Sequence, residues 1–404
     1  MSKTDSVRCG KRVRFRTTMH NCIALKVMQQ RGWQEVEEEY EWDIFWSDVH
    51  TIGASSDFSH SKLQEYQKLN HFPRHVELTR KDLMVKNLKR AARALEKEGR
   101  GSEMAFFPLT YILPSDYGPF REEFNRSGGI WIMKPCGRAQ GKGIFMVDKI
   151  AQVEKWKQEN SSREQQETYV ISRYLQNPLL VGGKKFDLRI YALVLSYMPL
   201  RVYLYRGGFC RFTAARYNMN RDDMKNLYVH LTNVAIQKKG ENYDRGSGMK
   251  WPIRSLKLYL ISKFGVAAAN RCFELVQLVV LRSLLAVQPV VTQDKHCFEL
   301  YGYDVLIDSD LKPWLIEVNA SPSLSGDTPA DKKMKFSMID DALELVDVEQ
   351  RLANALPQSY GGFDLIYNQE ACKVHPSMPT LLGCEIPVAK DATKFPEGWI
   401  ESMT

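Results

Sequence analysis

The pattern of apolar and polar positions predicts a chain that mixes strands with helices. Alternating or continuous apolar runs of about four to eight residues predict strands, whereas longer runs with helical spacing predict helices. The helices expected on this basis cover residues 77–98, 119–126, 253–263, 270–287 and 337–352. Breaks rich in Pro and Gly divide the chain into blocks over 12–105, 106–185 and 186–355, which lie between a basic tail over 1–11 and an irregular tail over 356–404.

A pair of apolar strands near residue 310 carries the clearest polar cluster. The pattern predicts strands over Tyr301–Ile307 and Trp314–Val318, joined by a turn. Side chains alternate across a strand, so Glu317 and Asn319 share one face, and a loop of about four residues places Asp304 opposite Glu317. Two carboxylates and an amide suit Mg²⁺. A hairpin with its polar groups in water is the ordinary alternative, but two unshielded like charges would be unfavourable, which favours a bound cation.

A glycine-rich loop follows the predicted strand over 130–133, which ends at Lys134. The loop runs from Arg138 to Gly143, and its glycines would let backbone N–H groups approach phosphates closely. It is not a Walker loop, because GxxxxGK[ST] is absent, and taken alone it is more typical of an ordinary hairpin turn. Lys134 is the stronger signal, since a buried lysine needs a partner and a phosphate is a good one.

Charged residues recur at every second position along the long strand that opens the third block. Lys185, Asp187 and Arg189 share one face of this strand, and Arg211 lies on a later strand. Two interpretations remain, namely an exposed ion-pair stripe of little consequence and the lining of a nucleotide cleft. The strand over 168–175 is likewise either a wall for an adenine ring or a buried strand without a ligand.

Composition narrows the class of protein. The chain has 404 residues, of which 44% are hydrophobic and 26% charged, as expected for two or three globular domains. No apolar run is long enough to predict a transmembrane helix. The eight cysteines form no CxxC pair and are typical of reduced cytosolic thiols. Residues 1–31 hold eight Lys or Arg against one acid, but a mitochondrial transit peptide is the weaker interpretation, because 13–17 alternates like a first strand.

The formal net charge of +8 is concentrated in part on the helix predicted over 77–98. Its basic residues are Arg80, Lys81, Lys86, Lys89, Arg90, Arg93 and Lys97. They form either a solvated face or a docking surface for a polyanion. No recognised nucleic-acid motif accompanies the charge, so we expect no nucleic-acid partner.

Seven short motifs occur in order along the chain. They are Trp131–Pro135, Gln140–Ile144, Ser172–Leu175, Lys185–Arg189, His230–Asn233, Tyr303–Asp304 and Glu317–Pro322. In this order they resemble the tubulin tyrosine ligase-like family of ATP-grasp amino-acid ligases, and most of all its short ciliary polyglutamylases, over about 12–355. The resemblance implies an α+β, ATP-grasp fold. In this fold an N-terminal α/β domain precedes central and C-terminal ATP-grasp domains, and ATP lies between the last two.

The resemblance also implies roles for individual residues. Those expected to bind ATP are Lys134, Gln140, Gly141, Lys142, Gly143, Ser172, Arg173, Tyr174, Leu175, Lys185, Asp187, Thr232 and Asn233. Two Mg²⁺ ions are expected on Asp304, Glu317 and Asn319. The substrate residues expected are Arg138, which would face the protein substrate, and Arg211, Lys335 and, on a looser alignment, Lys250, which would bind the incoming amino acid. Lys134, Glu317 and Arg211 would carry the catalysis.

The implied activity is an ATP-dependent ligase that forms an isopeptide bond. Glutamate would be added to the γ-carboxylates of glutamates in tubulin tails through an acyl phosphate, so no nucleophilic Ser or Cys is required. The expected partners are tubulin tails, free glutamate and accessory subunits, without a membrane. The expected location is the cytoplasm and cytoskeleton, at the axoneme or basal body of a cilium or flagellum. A tubulin glycylase and a non-catalytic microtubule or ciliary scaffold are the alternatives, although the paired cations Arg211 and Lys335 favour glutamate over glycine.

Overall fold

Three sheets and their helices make up the described part of the chain. A computed structural model gives the fold over residues 12–38, 40–54, 62–240, 249–324, 326, 328–352, 355–371 and 380–386. The expected basic tail over 1–11 lies outside these ranges. Helices and strands alternate irregularly among the three sheets, so the predicted α+β class is confirmed. None of the helices in these ranges combines the length and the apolar character needed to span a membrane.

The first sheet is parallel and has the strand order β2-β1-β3-β4. Its strands are β1 (Arg14–Thr17), β2 (Gln34–Glu35), β3 (Ile44–Trp46) and β4 (Lys68–Leu69). The helices of this region are α1 (Ile23–Gln30), α2 (Val49–Ala54), α3 (Val76–Thr79) and α4 (Lys81–Lys97). Helix α1 buries Ile23, Val27 and Met28, which recur at helical spacing and therefore form one apolar face.

The second sheet is antiparallel and has the order β5-β8-β6-β7. Its strands are β5 (Thr110–Leu113), β6 (Trp131–Pro135), β7 (Phe145–Val147) and β8 (Tyr169–Arg173), and its helices are α5 (Tyr117–Ser127) and α6 (Ile150–Ser161). Trp131 at the start of β6 is fully buried and packs edge-on against Phe120 of α5, with 5.2 Å between ring centroids. This packing fixes β6, the strand that ends at Lys134-Pro135.

The third sheet is the largest and carries most of the charged residues of interest. Its path is β14-β13-β10-β11-β16-β15, with β9 paired to β10 and β12 paired to β11. The strands are β9 (Leu180–Val181), β10 (Lys184–Tyr197), β11 (Leu200–Phe212), β12 (Lys250–Pro252), β13 (Glu299–Ile307), β14 (Pro313–Asn319), β15 (Ser359–Tyr360) and β16 (Phe363–Asn368). The remaining helices are α7 (Leu227–His230), α8 (Val234–Gln237), α9 (Ile253–Phe264), α10 (Val266–Val287) and α11 (Pro329–Val346).

Both faces of the large sheet are covered. Along β10, Leu188 and Ile190 belong to the core that includes α9 and α10, whereas Tyr191 and Leu193 belong to the core that includes α1 and α11. This alternation follows from the period of two in a strand. The boundary expected between residues 185 and 186 falls inside β10, which runs without a break from Lys184 to Tyr197.

Two predicted helices differ from the structure. The helix expected over 77–98 is two helices, α3 and α4, because Arg80 has an extended backbone with φ −88° and ψ 124°. The apolar spacing continues across this single residue and does not reveal the break. The helix expected over 337–352 is α11, which begins at Pro329, after Thr328 accepts a hydrogen bond from the backbone of Asp331, and ends before a left-handed residue.

The C-terminal region was expected to be irregular over 356–404, which is wrong for part of it. Residues Phe363–Asn368 form β16, which pairs antiparallel with β11, and Ser359–Tyr360 pair with β16. Phe363 is fully buried and Leu365 is nearly so, and their spacing of two is the strand signal that Pro and Gly nearby obscured. Residues 372–379 and 387–404 lie outside the described ranges.

Candidate active site

A cleft lies between the second sheet and the large sheet, with an empty volume of about 890 Å³ that includes the open solvent at its mouth. Most of the predicted site residues line it. They are Lys134, Arg138, Gln140, Gly141, Lys142, Ser172, Arg173, Tyr174, Leu175, Lys185, Asp187, Arg211, Thr232, Asn233, Asp304 and Glu317. Gly143, Asn319, Lys250 and Lys335 are not among the lining residues.

Lys134 projects from the end of β6 into this cleft. Burial lowers the pKa of its amino group, and the negative charge of Glu317 partly offsets the effect. Within the described residues the amino group has neither a hydrogen bond nor an ion pair. A half-buried amine that faces a cleft without a partner is suited to an anionic ligand, because the ligand then supplies the missing charge and acceptors.

Lys185 on β10 is held by a small polar network. Its amino group donates to the Tyr174 hydroxyl at 3.0 Å and to the His230 carbonyl at 2.9 Å, and the Tyr174 hydroxyl lies 2.9 Å from His230 Nδ1. Burial, together with the nearby charge of Lys134, lowers the pKa of Lys185 to about 7. The network fixes the segment that leads into Thr232 and Asn233 against Tyr174, the residue that follows β8. Sequence reasoning placed His230 in a motif but did not foresee this link.

Four charged side chains form a buried network on the floor of the cleft. Arg211 donates through Nε to Asp187 at 2.9 Å and forms a second bond to the same carboxylate, and its Nη2 reaches Asp304 at 2.7 Å. Arg189 binds Asp304 in a bidentate manner, at 2.5 and 3.0 Å. Burial alone would raise the pKa of Asp304, but the two guanidinium groups overcome it and lower the pKa, so this carboxyl stays ionised at neutral pH.

The predicted pairing across the hairpin is confirmed, since Asp304 lies opposite Glu317 in the β13–β14 register. The two like charges are not unshielded, however. Arg189 and Arg211 hold Asp304, and Lys81 Nζ lies 3.2 Å from Glu317 Oε2. The premise of an unshielded pair is therefore wrong, because arginine and lysine already compensate the charge, and repulsion between the two carboxylates no longer favours a bound cation.

The metal assignment stays a prediction. No group of three or more His, Cys, Asp or Glu side chains in the described ranges is arranged to hold a metal ion. The expected set contains two carboxylates and the amide of Asn319. That amide donates through Nδ2 to the Gly302 carbonyl at 3.3 Å, which leaves its oxygen as the atom that a cation would contact. Carboxylate and amide oxygens fit Mg²⁺, which keeps several ligand positions for water and phosphates.

The glycine-rich loop has the backbone that its sequence requires. Gln140, Gly141 and Gly143 have φ values of 62°, 77° and 76°, in the left-handed region that favours glycine. A Cβ on Gly141 would lie only 2.4 Å from Ile236 Cδ1. Arg138 precedes the loop, is partly exposed and is paired with Glu167 at 2.7 Å, so it lies at the mouth of the cleft.

We expect Gly141→Ala to weaken ATP binding about tenfold, since the new methyl group meets Ile236 and the backbone is strained. Gly182→Ala is the matched control, because Gly182 has a similar φ of 59° but no atom within 4 Å of the added Cβ, and it does not line the cleft. Affinities for a fluorescent ATP analogue measure the effect. Equal affinities of the two variants would contradict the expectation, and adding Ile236→Ala should restore part of the loss.

Lys250 and Lys335 form a separate cluster beside the cleft. Both amino groups contact Asp331 Oδ2, at 2.9 and 3.3 Å. Lys250 is paired directly with Arg211 in the β11–β12 register, so the cluster adjoins the cleft floor. Burial lowers the pKa of Lys335 to about 8, although Asp331 opposes the shift. The two lysines thus neighbour Arg211 without lining the same cavity.

Sequence reasoning missed several lining residues. Lys81 was assigned only to a basic helix face, and nothing in the sequence shows that the N-terminal domain reaches Glu317. Leu306 and Ile316 add an apolar surface to the cleft. Leu306 could have been found, because it is two residues beyond Asp304 and therefore shares its face of β13.

The fold and the cleft define a class of protein in which two sheets flank a cleft rich in lysine and arginine. A family model described as the Tubulin-tyrosine ligase family matches residues 58–354. The chain belongs to this family, which confirms the resemblance drawn from the motifs.

Similar proteins cover most of the chain. A probable tubulin polyglutamylase TTLL9 of Bos taurus is 43% identical, over 92% of this chain and 87% of its own length. A probable alpha-tubulin polyglutamylase Ttll1 of Tetrahymena thermophila is 43% identical, over 89% of this chain and 94% of its own. Tubulin polyglutamylase TTLL5 of Mus musculus is 35% identical, over 82% of this chain but 25% of its own length.

Proposed function

We propose that this chain is an ATP-dependent ligase that adds glutamate to γ-carboxylates of glutamates in tubulin C-terminal tails. The observation that carries the proposal is a single cleft in which Lys134, Lys185 and the glycine-rich loop face Asp304 and Glu317. The similar proteins are named as probable tubulin polyglutamylases in Bos taurus and Tetrahymena thermophila, which supports the acceptor and the amino acid.

Different groups of cleft residues bind different parts of ATP. Lys134 and the backbone N–H groups of the loop from Gln140 to Gly143 contact phosphates, and the segment Ser172–Leu175 contacts adenine, with Lys185, Asp187, Thr232 and Asn233 completing the nucleotide shell. Two Mg²⁺ ions, held by Asp304, Glu317 and Asn319, supply charge neutralisation of the phosphates when they are bound. Lys134 stabilises negative charge on the transferred phosphoryl group, because its own charge is otherwise unpaired.

The reaction joins a carboxylate to an amine. The γ-carboxylate of a tubulin glutamate accepts the terminal phosphoryl group of ATP, which gives an acyl phosphate and ADP. The amino group of free glutamate then attacks the acyl carbon, and phosphate leaves. Arg211 binds a carboxylate of the incoming glutamate, with Lys335 and Lys250 beside it, and the neighbouring cations suit an amino acid that has two carboxylates.

The protein substrate approaches at the cleft mouth. Arg138 lies there, and the exposed basic residues of α4, together with the half-buried Arg14 and Arg16 of β1, attract an acidic tail over a distance. Accessory subunits, and a place in the cytoplasm and the cytoskeleton at a ciliary axoneme or basal body, belong to the same proposal. A tubulin glycylase would use the same ATP cleft. Lys250 and Lys335 lie beside Arg211 but are already paired with Asp331, so the choice of glutamate is supported mainly by the names of the similar proteins.

The decisive experiment incubates the protein, alone and in ciliary extract depleted of its own homologue, with tubulin, ATP-Mg and labelled glutamate, glycine or tyrosine. We expect glutamate to be incorporated, and Glu317→Gln to abolish the labelling. Glu159→Gln, at an exposed glutamate of α6, is the matched control and should label fully. Glycine incorporation would overturn the choice of amino acid. No labelling in either setting would favour the non-catalytic scaffold instead.

A further inference from the structure

A buried histidine connects the N-terminal domain with the loop that follows β14. His71 lies between β4 and α3 and is 1% exposed. Its Nδ1 is 2.8 Å from Oε1 of Glu299 on β13, and its Nε2 is 3.3 Å from Oγ of Ser321. Ser321 comes two residues after Asn319, the last residue of β14. We call this series Glu299–His71–Ser321 the His71 bridge.

The buried end of the His71 bridge is fixed. Glu299 is completely buried, and its second oxygen accepts from the Phe72 backbone at 3.1 Å and from the Tyr301 hydroxyl at 2.9 Å. A buried carboxylate with three donors has little freedom, because moving it would leave several groups without partners. The orientation of the His71 ring is therefore set from the large sheet.

The Ser321 hydroxyl can pair with Nε2 of His71 whether that nitrogen donates or accepts the hydrogen bond. A neutral ring with its proton on Nδ1 accepts at Nε2 from the Ser321 hydroxyl or from Asn70 Nδ2, which lies 3.2 Å away. A charged ring donates from Nε2 to the Ser47 carbonyl at 3.1 Å and to the Ser321 oxygen. A hydroxyl can donate or accept a hydrogen bond, so Ser321 can pair with Nε2 of His71 in both cases.

A serine, a histidine and a carboxylate in series are also the components of a nucleophilic triad. Such a site commonly uses the backbone N–H after the nucleophile to stabilise the oxyanion. Here that residue is Pro322, which has no N–H. The series is therefore better suited to holding a loop than to attacking a carbonyl.

The same segment of the N-terminal domain contacts β14 and its neighbour at other points. Leu69 of β4 accepts from the backbone of Phe298 at 2.9 Å, and Lys81 at the start of α4 contacts Glu317. Residues from Leu69 to Lys81 thus touch the hairpin on either side of the His71 bridge. Of these contacts, the bridge is the one that lies beyond the end of β14.

We propose that His71 and Ser321 are positioning residues that hold the loop after β14, so that the amide oxygen of Asn319 stays at the cation site. The inference rests on the metal role proposed above for Asn319. Residues that orient metal ligands without touching the metal commonly change metal affinity about 10- to 100-fold when they are replaced. Losing the Ser321 hydroxyl should affect only this loop, because Ser321 is exposed, whereas replacing His71 also removes a partner of the buried Glu299.

The test measures Mn²⁺ binding by electron paramagnetic resonance, with the full chain and a non-hydrolysable ATP analogue. We expect Ser321→Ala and His71→Gln to weaken Mn²⁺ binding about tenfold. Ser321→Thr keeps the hydroxyl and should bind Mn²⁺ as tightly as the unaltered protein. Ser309→Ala is the control, at an exposed serine in the turn at the other end of the same hairpin. The melting temperature of Ser321→Ala should equal that of the unaltered protein, which separates positioning from general loss of structure.

Asn319→Ala distinguishes failure of this inference from failure of the proposed metal site. If Asn319→Ala weakens Mn²⁺ binding while Ser321→Ala does not, the positioning role is overturned and the metal role stands. If neither variant changes Mn²⁺ binding, both are overturned. If His71→Gln fails to fold, the Ser321 variants still decide the question, because their side chain is at the surface.

Discussion

Replacing Lys134 with methionine is expected to reduce ligase activity about 10²- to 10³-fold. The side chain keeps its approximate length and apolar stem but loses the charge that faces the phosphates, and a preorganised charge in a cleft accounts for an effect of that size. The fold should be stabilised slightly or left unchanged, because burial already lowers the pKa of this amine and it has no partner among the described residues. Initial rates of glutamate incorporation, together with melting temperatures, measure both effects.

Lys155→Met provides the control for this prediction. Lys155 lies on α6, and its side chain is 78% exposed, so the same substitution removes a solvated charge far from the cleft. It should leave the rate and the melting temperature unchanged. An active Lys134→Met protein would contradict the assignment of Lys134 to the phosphates.

Replacing Arg211 with alanine is expected to lower both stability and nucleotide binding. The change leaves Asp187 without its arginine and Asp304 with Arg189 alone, and removing one partner of a buried ion pair costs about 3–5 kcal/mol. Arg211→Lys should recover only part of the loss, since lysine cannot form the bidentate contact. Thermal unfolding and affinity for an ATP analogue measure the two consequences separately.

Arg206 offers a matched comparison for Arg211, because it lies on the same strand, β11. It makes a similar bidentate pair with Asp364, at 2.7 and 2.6 Å, but far from the cleft. Arg206→Ala should lower the melting temperature without changing nucleotide affinity. If both variants affect nucleotide affinity equally, the effect of Arg211→Ala is general destabilisation, and the expectation that Arg211 supports nucleotide binding through Asp187 and Asp304 is wrong.

The extent to which the site could be predicted depends on how far apart its residues are in the sequence. The pairing of Asp304 with Glu317 was predictable, because a short turn and a period of two fix the register of a hairpin. The spacing of two along the strand placed Arg189 on one face with Lys185 and Asp187. Its partner Asp304 lies 115 residues away in the sequence, so the spacing could not show whether this face is an exposed ion-pair stripe or the lining of a cleft. In the structure Arg189 fits neither interpretation, because it forms a buried ion pair with Asp304.

Other features depended on contacts between domains. Lys81 reaches Glu317, and His71 reaches Ser321, only because the first sheet packs on the large sheet, and no local pattern encodes that packing. The family resemblance predicted that the motifs lie together in one cleft. The periodicity of a single sequence could not predict this, because it describes only neighbouring positions along the chain. The single extended residue Arg80 and the short strand β16 were missed because their local signals are weak.

The strand β16 has a practical consequence for truncation. It covers the edge of β11, whereas the family match ends at residue 354, before β15 and β16 begin. A chain cut at that point would leave the backbone N–H and C=O groups of Arg201–Tyr205 without their partner strand. Exposed strand edges recruit other chains, so the shortened protein would self-associate even though every residue of the proposed active site is still present.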